Sequence, residues 1–381
     1  MSDDRVERIG AQFGLRRDNF ILDPISDYQC FARDDIDTRG IAEGLDVDVL
    51  TGLAPKRLVW GPYGGGKTHT LMRTADELSH LTPIHHVRVE CPDLTKRSRF
   101  HDLYREGIMR ALGQDFVVGL IEDVVRKVGF KRKEDLRAAL KDEFVDEELA
   151  KAAERLYDPN FDSLKLWRWL AGVGVSRGEL DQLGQTQDLT QAEAARLADI
   201  LVQLARLLRV LRDTTLVLIL DEMERLNAIG AETVTTFVSG FTRLVDPNQT
   251  SLCVLIGASA ALESEMVEVF ATAGPVTSRL GTDSLIEIPA LEDNGVDRFI
   301  RGVIAYVRDS AVDPAPLVQH ALQATGETFE ASLFPFSLQA VDALKSTNRM
   351  LTPRAITIDM TRALGRAHRR KLPAITAACV S

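Results

Sequence analysis

Cysteine is scarce in this sequence, and its spacing excludes the chemistry that clustered cysteines support. The chain of 381 residues has only four cysteines, Cys30, Cys91, Cys253 and Cys379, and they lie far apart. No two of them have the paired spacing of a zinc site, and a chain of this size does not depend on disulfide bonds for its stability. We therefore expect four reduced thiols, as in a protein of the cytoplasm.

Long apolar runs are also missing. A helix that crosses a membrane needs about 20 apolar residues in succession, whereas the most apolar runs, Leu216–Leu220 and Leu252–Ile256, have only the length of a strand. The first residues, Met1–Arg5, are acidic and lack the apolar stretch of a secretory signal. We expect neither a membrane span nor a signal, which agrees with a cytoplasmic location.

An excess of positive charge is absent as well. The chain has 46 Lys and Arg against 56 Asp and Glu, which gives a net charge of -10. This balance argues against a surface coated in basic charge for non-specific nucleic-acid binding, although it does not exclude a local basic patch. Hydrophobic residues at 45% and charged residues at 27% are typical of a soluble globular protein and exclude a disordered chain or a fibre.

Strand and helix patterns alternate from residue 57 onward, and this alternation predicts a parallel sheet covered by helices. A helix is predicted at Lys67–Ser79, and residues 101–212 are mostly helical in pattern. In that region, a capping-box pair of Thr190 and Glu193 is expected to start a Leu-rich helix. The predicted strands lie at 57–60, 87–91, 216–220, 252–256 and 285–288.

The length of the chain predicts about two to three domains. We expect an N-terminal arm at residues 1–52, where structure signals are weak and Asp34, Asp35 and Asp37 form an acidic cluster. An α/β core is predicted at 53–290, with a helical insertion at about 101–212. The last part, 291–381, has no clear strand and is predicted to be a separate helical unit.

A phosphate-binding loop is the strongest motif in the chain. Residues 61–68 match G-x-x-x-x-G-K-[ST] in full, after a predicted strand and before a predicted helix. Small residues let the backbone curl so that its N–H groups point at phosphate oxygens, and the positive end of the helix adds to this. Lys67 is expected to reach the β- and γ-phosphates, and the Thr68 hydroxyl to ligate Mg²⁺. The predicted nucleotide-binding residues are Gly61, Pro62, Tyr63, Gly64, Gly65, Gly66, Lys67, Thr68 and His69.

Two carboxylates follow the apolar run at 216–220. Ligands of open α/β sheets bind at the carboxyl ends of the strands, so Asp221 and Glu222 are expected at that edge. Asp221 is predicted to hold Mg²⁺ through water, and Glu222 to accept a proton from the attacking water or to orient it. Glu224, two positions further on, is expected to point elsewhere.

The absence of a guanine-binding motif predicts which base the nucleotide carries. No Asn-Lys-x-Asp or Thr-Lys-x-Asp occurs anywhere in the chain. Because common GTPases read guanine with such an element, its absence favours ATP.

Together, the loop, the adjacent acids and the strand between the two motifs resemble the AAA+ superfamily of P-loop ATPases. The resemblance covers about residues 53–92, 214–290 and 340–366. It is greatest to the branch of replication initiators, transposition regulators and STAND switches. Residues 60–72 also resemble ATPases of bacterial phage-defence systems, including the BREX type. The fold implied is a P-loop α/β core with a C-terminal helical lid, and ATP between them.

The resemblance implies roles for three further residues. Ser259, after the strand 252–256, corresponds to the polar residue that contacts the γ-phosphate or the attacking water, although a turn serine is an equal alternative. Arg279, in Ser278-Arg279-Leu280, corresponds to the arginine that enters the site of the neighbouring subunit; a surface arginine with a local partner is its alternative. Arg354 follows Thr352 and Pro353 at a predicted helix start and corresponds to the lid arginine that touches the γ-phosphate.

Two basic segments could contact nucleic acid. Lys96, Arg97 and Arg99 follow the second strand and could bind phosphates without reading bases, but a solvated loop explains them as well. Residues 349–371 have seven Arg and Lys against one acid. A basic C-terminal helix could bind DNA, and part of its charge also suits the helix dipole.

These observations predict an ATP hydrolase with Mg²⁺ that forms a homo-oligomer with ATP at the subunit interfaces. Hydrolysis would drive conformational change or assembly on DNA or a DNA-associated protein complex, in replication, transposition or phage defence. The alternative is a STAND-like slow nucleotide switch that regulates a partner protein. A third interpretation, ATP as a purely structural ligand, is disfavoured by Glu222.

Overall fold

The computed structural model describes residues 8–30, 32–128, 143–144, 146–262, 265, 276, 279–280, 284–347 and 350–380. The chain divides into two compact units, each made of segments that are distant in the sequence. The first unit consists of Met1–Asp37, Gly61–Arg73 and Ile288–Ser381, and the second of Thr38–Trp60 and Thr74–Glu287. The proposed division into arm, core and lid at residues 52 and 290 is not decided by this grouping.

A five-stranded sheet has the order β2-β3-β4-β1-β5. The pairs β2–β3, β3–β4 and β1–β5 are parallel, which confirms the α/β class predicted from the sequence. The strands are β1 (Lys56–Gly61), β2 (Ile84–Glu90), β3 (Thr215–Asp221), β4 (Leu252–Ser259) and β5 (Leu285–Glu287).

The central strands are apolar over almost their whole length. Every residue of β3 is buried, and in β4 only Ser259 at its end is half-buried. Such runs are typical of parallel strands that are covered on both faces. Because parallel strands end at one edge of a sheet, the segments that follow them leave the sheet from the same side.

Helices precede, connect and follow the strands of the sheet. Among the described residues, the α-helices of four or more residues are α1 (Thr38–Thr51), α2 (Lys67–Ser79), α3 (Gln114–Val128), α4 (Glu147–Glu154), α5 (Ser163–Leu170), α6 (Arg177–Leu183), α7 (Ala194–Arg212), α8 (Ala231–Leu244), α9 (Asp293–Val307), α10 (Pro314–Thr325), α11 (Leu338–Thr347), α12 (Pro353–Arg369) and α13 (Ala377–Val380). A π-helix at Leu103–Met109 lies between short helical turns at Phe100–Asp102 and Arg110–Leu112.

The Leu-rich helix α7 is a packing element, as its periodicity predicts. Leu197, Leu201 and Leu204 are fully buried in the core of the second unit. The predicted capping box is wrong, however. Glu193 is the N-cap without a side-chain cap bond, and Thr190 lies in a separate 3-10 turn that is capped by Asp188. The Thr190 N–H, which the capping-box pattern assigned to the Glu193 carboxylate, donates instead to the carboxylate of Asp188.

The core of the first unit combines both ends of the chain. Phe13 and Phe20, within the predicted arm, are buried with apolar residues of α9, α11 and α12. The ring centroids of Phe20 and Phe336 are 5.4 Å apart. Sequence patterns missed this packing because isolated aromatics in a turn-rich stretch show no helical or strand periodicity.

The four cysteines are free thiols, as predicted, and all are buried. Burial raises the pKa of Cys91 and of Cys253 to about 12, so both remain protonated at neutral pH. Within the described ranges, the helices are all too short or too polar to cross a membrane.

Candidate functional site

The phosphate loop has the backbone conformation that its glycines allow. It follows β1 and leads into α2, which begins at Lys67. Gly64 and Gly66 have φ angles of 76° and 104°, a region that residues with a Cβ rarely adopt. A Cβ on Gly64 would also lie only 2.8 Å from the Cβ of Arg354. The strand, loop and helix predicted for this motif are therefore all present.

Lys67 lies against its own loop. Its side chain is largely buried, and Nζ donates to the carbonyl oxygens of Gly61, at 3.2 Å, and Pro62, at 2.9 Å. An ammonium group that is held over the loop in this way is placed to neutralise an anion there.

Two polar residues follow Lys67 on the first turn of α2. Thr68 is half-buried. Burial lowers the pKa of His69, which keeps its imidazole neutral near pH 7. His69 Nε2 is buried and meets no hydrogen-bond partner among the described residues. A buried polar atom in this state is suited to a polar ligand.

Arg33 supports the loop, and sequence reasoning missed it. Its buried guanidinium donates to the carbonyl oxygens of Gly65, at 2.7 Å, and Pro289, at 2.9 Å. Two further bonds, at 2.7 and 2.6 Å, reach Asp35. Burial alone would raise the pKa of Asp35, but the bonds from Arg33 outweigh it and lower that pKa.

The bond from Arg33 fixes one peptide plane of the loop. The C=O and the N–H of a trans peptide point in opposite directions. Holding the Gly65 carbonyl on the side of Arg33 therefore directs the next N–H, that of Gly66, to the other side. Only the short spacing from Arg33 to Asp35 hinted at an ion pair, and nothing in the sequence pointed to Gly65.

Arg354 lies beside the loop within the same unit. Its backbone N–H donates to the Gly64 carbonyl at 3.2 Å, and its Nη1 donates to the Tyr63 hydroxyl at 2.7 Å. The helix start predicted for this segment is confirmed, because Thr352 caps α12 through the Ala355 N–H and Pro353 occupies the first turn. The cap thus places Arg354 in the first turn of α12.

Asp221 is held at the carboxyl end of β3. Its buried Oδ2 accepts two bonds from Arg88 of β2, at 3.1 and 2.7 Å. Its Oδ1 accepts from the Glu222 N–H at 3.0 Å. These bonds fix the orientation of the carboxylate, as outer partners do for a residue that holds a metal. Sequence reasoning did not identify Arg88 as this partner.

Glu222 has a strained backbone and a charged partner. Its φ angle is 58°, in the left-handed region. Its carboxylate forms an ion pair with Arg225, which also bonds the Cys91 carbonyl and the Glu90 carboxylate. Burial raises the pKa of Glu222, although the charge of Arg225 opposes this. A glutamate with a raised pKa is a better proton acceptor near neutral pH than an ordinary one.

Glu224 contacts the end of the neighbouring strand, β4. Its carboxylate accepts from the Ser259 N–H at 2.9 Å, where β4 ends. Glu224 therefore caps the end of β4, the strand beside β3. The contact also fixes the backbone of Ser259, which is half-buried.

Arg279 has a partner within its own chain. Its Nη1 donates to the Thr242 carbonyl of α8 at 3.1 Å, and its side chain is half-buried. Ser278, the other half of the proposed motif, lies outside the described residues. The bond to Thr242 agrees with the alternative of a local partner and leaves the role between subunits as a prediction.

The two basic segments differ in what their side chains do. Lys96, Arg97 and Arg99 are exposed on the loop after β2. In α12, by contrast, Arg366 donates to the carbonyls of Cys379 and Val380. Arg370, just beyond that helix, donates to the carbonyl of Ala378. Part of the C-terminal basic charge therefore closes the end of α13, and Arg349 lies outside the described residues.

The fold is a P-loop α/β fold, with a parallel sheet covered by helices. A phosphate loop follows β1, an acid pair follows β3, and β4 lies between these two strands in a parallel sheet. The sheet and the phosphate loop are of the kind that the resemblance seen in the sequence implies.

Comparison with known proteins finds similar folds at low identity. No family model and no curated protein matches the chain. It is similar to the Aeropyrum pernix ORC2 protein in its ADPNP–ADP complexes, at 13% identity and a TM-score of 0.46 over 90% of this chain and 65% of that one. Drosophila ORC bound to DNA gives 12% and 0.46 over 91% and 59%, and C. elegans PCH-2 gives 12% and 0.41 over 90% and 64%. This chain spans less than two thirds of each of these proteins, and the likeness concerns the fold alone.

The residues of each cluster have the chemistry that a nucleotide or its metal requires. A Cβ on Gly61 would lie 2.2 Å from the Ile288 carbonyl oxygen. The start of the loop can therefore approach Ile288 only because residue 61 has no side chain. The Thr68 hydroxyl and the Asp221 carboxylate are oxygen ligands, which Mg²⁺ prefers. Each of these two side chains is therefore of a type that ligates Mg²⁺.

Proposed function

We propose that this protein binds ATP with Mg²⁺, hydrolyses it, and uses the cycle to change conformation or assembly on DNA or on a DNA-associated protein complex. The observation that carries the proposal is the phosphate loop. Gly61, Gly64 and Gly66 have positive φ angles, and the Lys67 side chain lies over the carbonyls of the loop. The acid pair at the end of β3 would supply the carboxylates that hydrolysis requires.

The residues divide the chemistry among them. Lys67 would neutralise the β- and γ-phosphates, while Thr68 and Asp221 would hold Mg²⁺, which withdraws charge from the phosphate oxygens. Glu222 would accept a proton from the attacking water while the oxygen of that water forms a bond to the γ-phosphorus. The bond from that phosphorus to the β-phosphate oxygen breaks, giving ADP and phosphate. Ser259 would orient the water, and Arg354 would contact the γ-phosphate.

Arg279 has a separate role in this proposal. In a homo-oligomer with ATP at the interfaces, it would leave the Thr242 carbonyl and reach the nucleotide of the next subunit. An arginine beside the γ-phosphate stabilises the charge of the transition state. Nucleotide binding and assembly would then depend on each other.

A slow nucleotide switch is the second candidate, and one observation favours it. Arg225 binds the carboxylate of Glu222, and a carboxylate engaged in an ion pair accepts a proton from water less readily. If this pair persists with ATP bound, turnover would be slow and the bound nucleotide would set the state of a partner protein. DNA or a protein complex would release Glu222 under the first candidate.

The DNA part of the proposal is supported by the exposed loop after β2. Lys96, Arg97 and Arg99 are exposed, and the Lys96 carbonyl accepts from the N–H of Gly230 at 3.2 Å. Gly230 is the N-cap of α8, at the end of the segment that leads there from Asp221 and Glu222. Phosphate contacts of this loop would therefore act through Gly230, which lies eight positions after Glu222.

Steady-state phosphate release, measured with and without duplex and single-stranded DNA, tests the proposal. We expect ATP turnover that DNA stimulates, and stimulation that weakens as salt is raised. Replacing Lys96, Arg97 and Arg99 together by alanine should remove the stimulation and reduce the slope of log affinity against log salt by up to about 2–3.

A matched variant controls for net charge. Arg110, Lys127 and Lys151 are exposed on helical segments away from this loop in the sequence, and their joint replacement by alanine should leave stimulation unchanged. Turnover without any response to DNA would reject the DNA part and favour the switch. Absence of both binding and turnover with ATP and Mg²⁺ would reject the proposal as a whole.

The pH dependence of turnover follows from Glu222. Its raised pKa means that it takes up a proton at higher pH than an ordinary glutamate, so activity should fall on acidification earlier than a normal carboxylate would cause. Arg225 lowers this pKa by its charge, so Arg225→Gln should move the acidic limb to still higher pH. Rate profiles of wild type, Arg225→Gln and the surface control Arg243→Gln measure the shift. A limb at the same pH in all three would contradict the assignment of the base.

A further inference from the structure

Tyr63 is an unusual residue for the middle of the phosphate loop. It is 65% exposed, and it stands between Pro62 and three glycines. The backbone of such a loop can cradle phosphates without a large side chain. The ring of Tyr63 must therefore be explained by something other than the cradle.

The ring and hydroxyl of Tyr63 both contact Arg354. The guanidinium carbon lies 5.0 Å from the ring centroid, which is within the range of a cation–π interaction. Nη1 donates to the Tyr63 hydroxyl at 2.7 Å. The same arginine is fixed at its backbone, because its N–H donates to the Gly64 carbonyl.

These contacts hold both ends of a flexible side chain. An exposed arginine normally samples many rotamers, and it loses that freedom when it binds a ligand. Tyr63 removes part of the freedom before a ligand arrives, so less is lost on binding. The guanidinium has five N–H donors, and the bond to Tyr63 uses one of them.

A terminal phosphate is the ligand that would gain from this arrangement. The backbone of Arg354 is bonded to Gly64, inside the loop proposed to hold the phosphates. Arg354 is also the residue proposed to contact the γ-phosphate. ADP has no γ-phosphate and would not use the prepared guanidinium. Preorganisation of Arg354 therefore strengthens ATP binding without strengthening ADP binding.

We propose that Tyr63 is a specificity-determining residue, which favours ATP over ADP by holding the Arg354 guanidinium in place through its ring and hydroxyl. This inference rests on the proposed function, since it needs nucleotide in the loop and Arg354 at the γ-phosphate. Tyr63 acts through Arg354, so it is a positioning residue and not a catalytic one.

Calorimetric affinities for ADP and for a non-hydrolysable ATP analogue test the inference on the full chain. Tyr63→Ala should weaken binding of the analogue by about 3- to 10-fold, the range expected for losing one hydrogen bond and one exposed cation–π contact, and should change ADP affinity less than about twofold. Tyr63→Phe keeps the ring and should lose only part of the effect. Tyr157→Ala, at an exposed tyrosine of the second unit, should change neither affinity.

A double-mutant cycle identifies Arg354 as the route of the effect. Arg354→Ala should weaken the analogue at least as much as Tyr63→Ala does, and adding Tyr63→Ala to it should cause no further loss. Equal effects on ADP and the analogue, tighter analogue binding in Tyr63→Ala, or additive losses in the double variant would each overturn the inference.

Failure of the inference can be told apart from failure of the proposed function. If Arg354→Ala lowers the preference for the analogue and Tyr63→Ala does not, only the role of Tyr63 is wrong. If Arg354→Ala leaves the preference unchanged, the assignment of Arg354 is wrong and the inference falls with it. If the wild-type chain binds neither nucleotide, the proposed function itself is wrong.

Discussion

Replacement of Lys67 by alanine is expected to weaken the binding of ATP and ADP by about 10- to 150-fold. This range corresponds to about 1.5–3 kcal/mol for a charge-assisted hydrogen bond. The reason is the burial of the ammonium group over the loop, where its bonds to the Gly61 and Pro62 carbonyls would give way to bonds with phosphate oxygens. Calorimetry or a fluorescent nucleotide measures the loss.

Two controls separate loss of binding from loss of fold. Lys127→Ala removes the same charge from an exposed position and should bind nucleotide normally. The thermal unfolding curve of Lys67→Ala should match that of the wild type, since the two carbonyls that the substitution frees lie in a loop. Unchanged affinity for ATP in the folded Lys67→Ala protein would refute the assignment of the phosphate loop.

Replacement of Glu222 by glutamine is expected to reduce turnover by about 10²-fold or more while ATP affinity changes less than about twofold. A positioned general base contributes about 10²–10⁴ to a rate, and glutamine cannot accept the proton from water. The amide keeps the size of the carboxylate, so the strained backbone at this position does not have to change. Single-turnover phosphate release and analogue binding, measured side by side, give the two quantities.

Glu43→Gln is the matched control for this substitution. Glu43 is exposed and forms an ion pair with Arg39, one turn earlier in α1. Its replacement should therefore leave turnover intact. Normal turnover in Glu222→Gln would remove Glu222 from the role of base. Loss of both binding and turnover would instead assign it to the nucleotide cradle.

The sequence was sufficient wherever a function depends on a local pattern. The helix predicted at Lys67–Ser79 has those bounds in the structure, because the loop that precedes it and the buried face of Leu71, Ala75 and Leu78 are both encoded within a few turns. The apolar strand that ends in Asp221 was equally plain. Both motifs lie where chain direction alone would place them in a parallel sheet.

Local patterns were less informative where two signals competed. The Thr190 and Glu193 pair matched a capping box, but Asp188 caps the turn that contains Thr190. Glu224 gave no signal of its contact with Ser259, because the two residues meet only through the packing of β4 beside β3. In each case the deciding neighbour was invisible to a pattern that reads a few residues at a time.

The sequence by itself determined the phosphate loop, the acid pair and the strands that carry them, because glycine geometry, charge and apolar periodicity act over short stretches of chain. Only the tertiary structure decided which groups support these residues. Arg33 bonds the loop at Gly65 across 32 positions, and Arg88 bonds Asp221 across 133. A buried charged side chain requires a partner, but its own sequence does not specify which one, since that choice is made by whichever polar group the fold brings within reach.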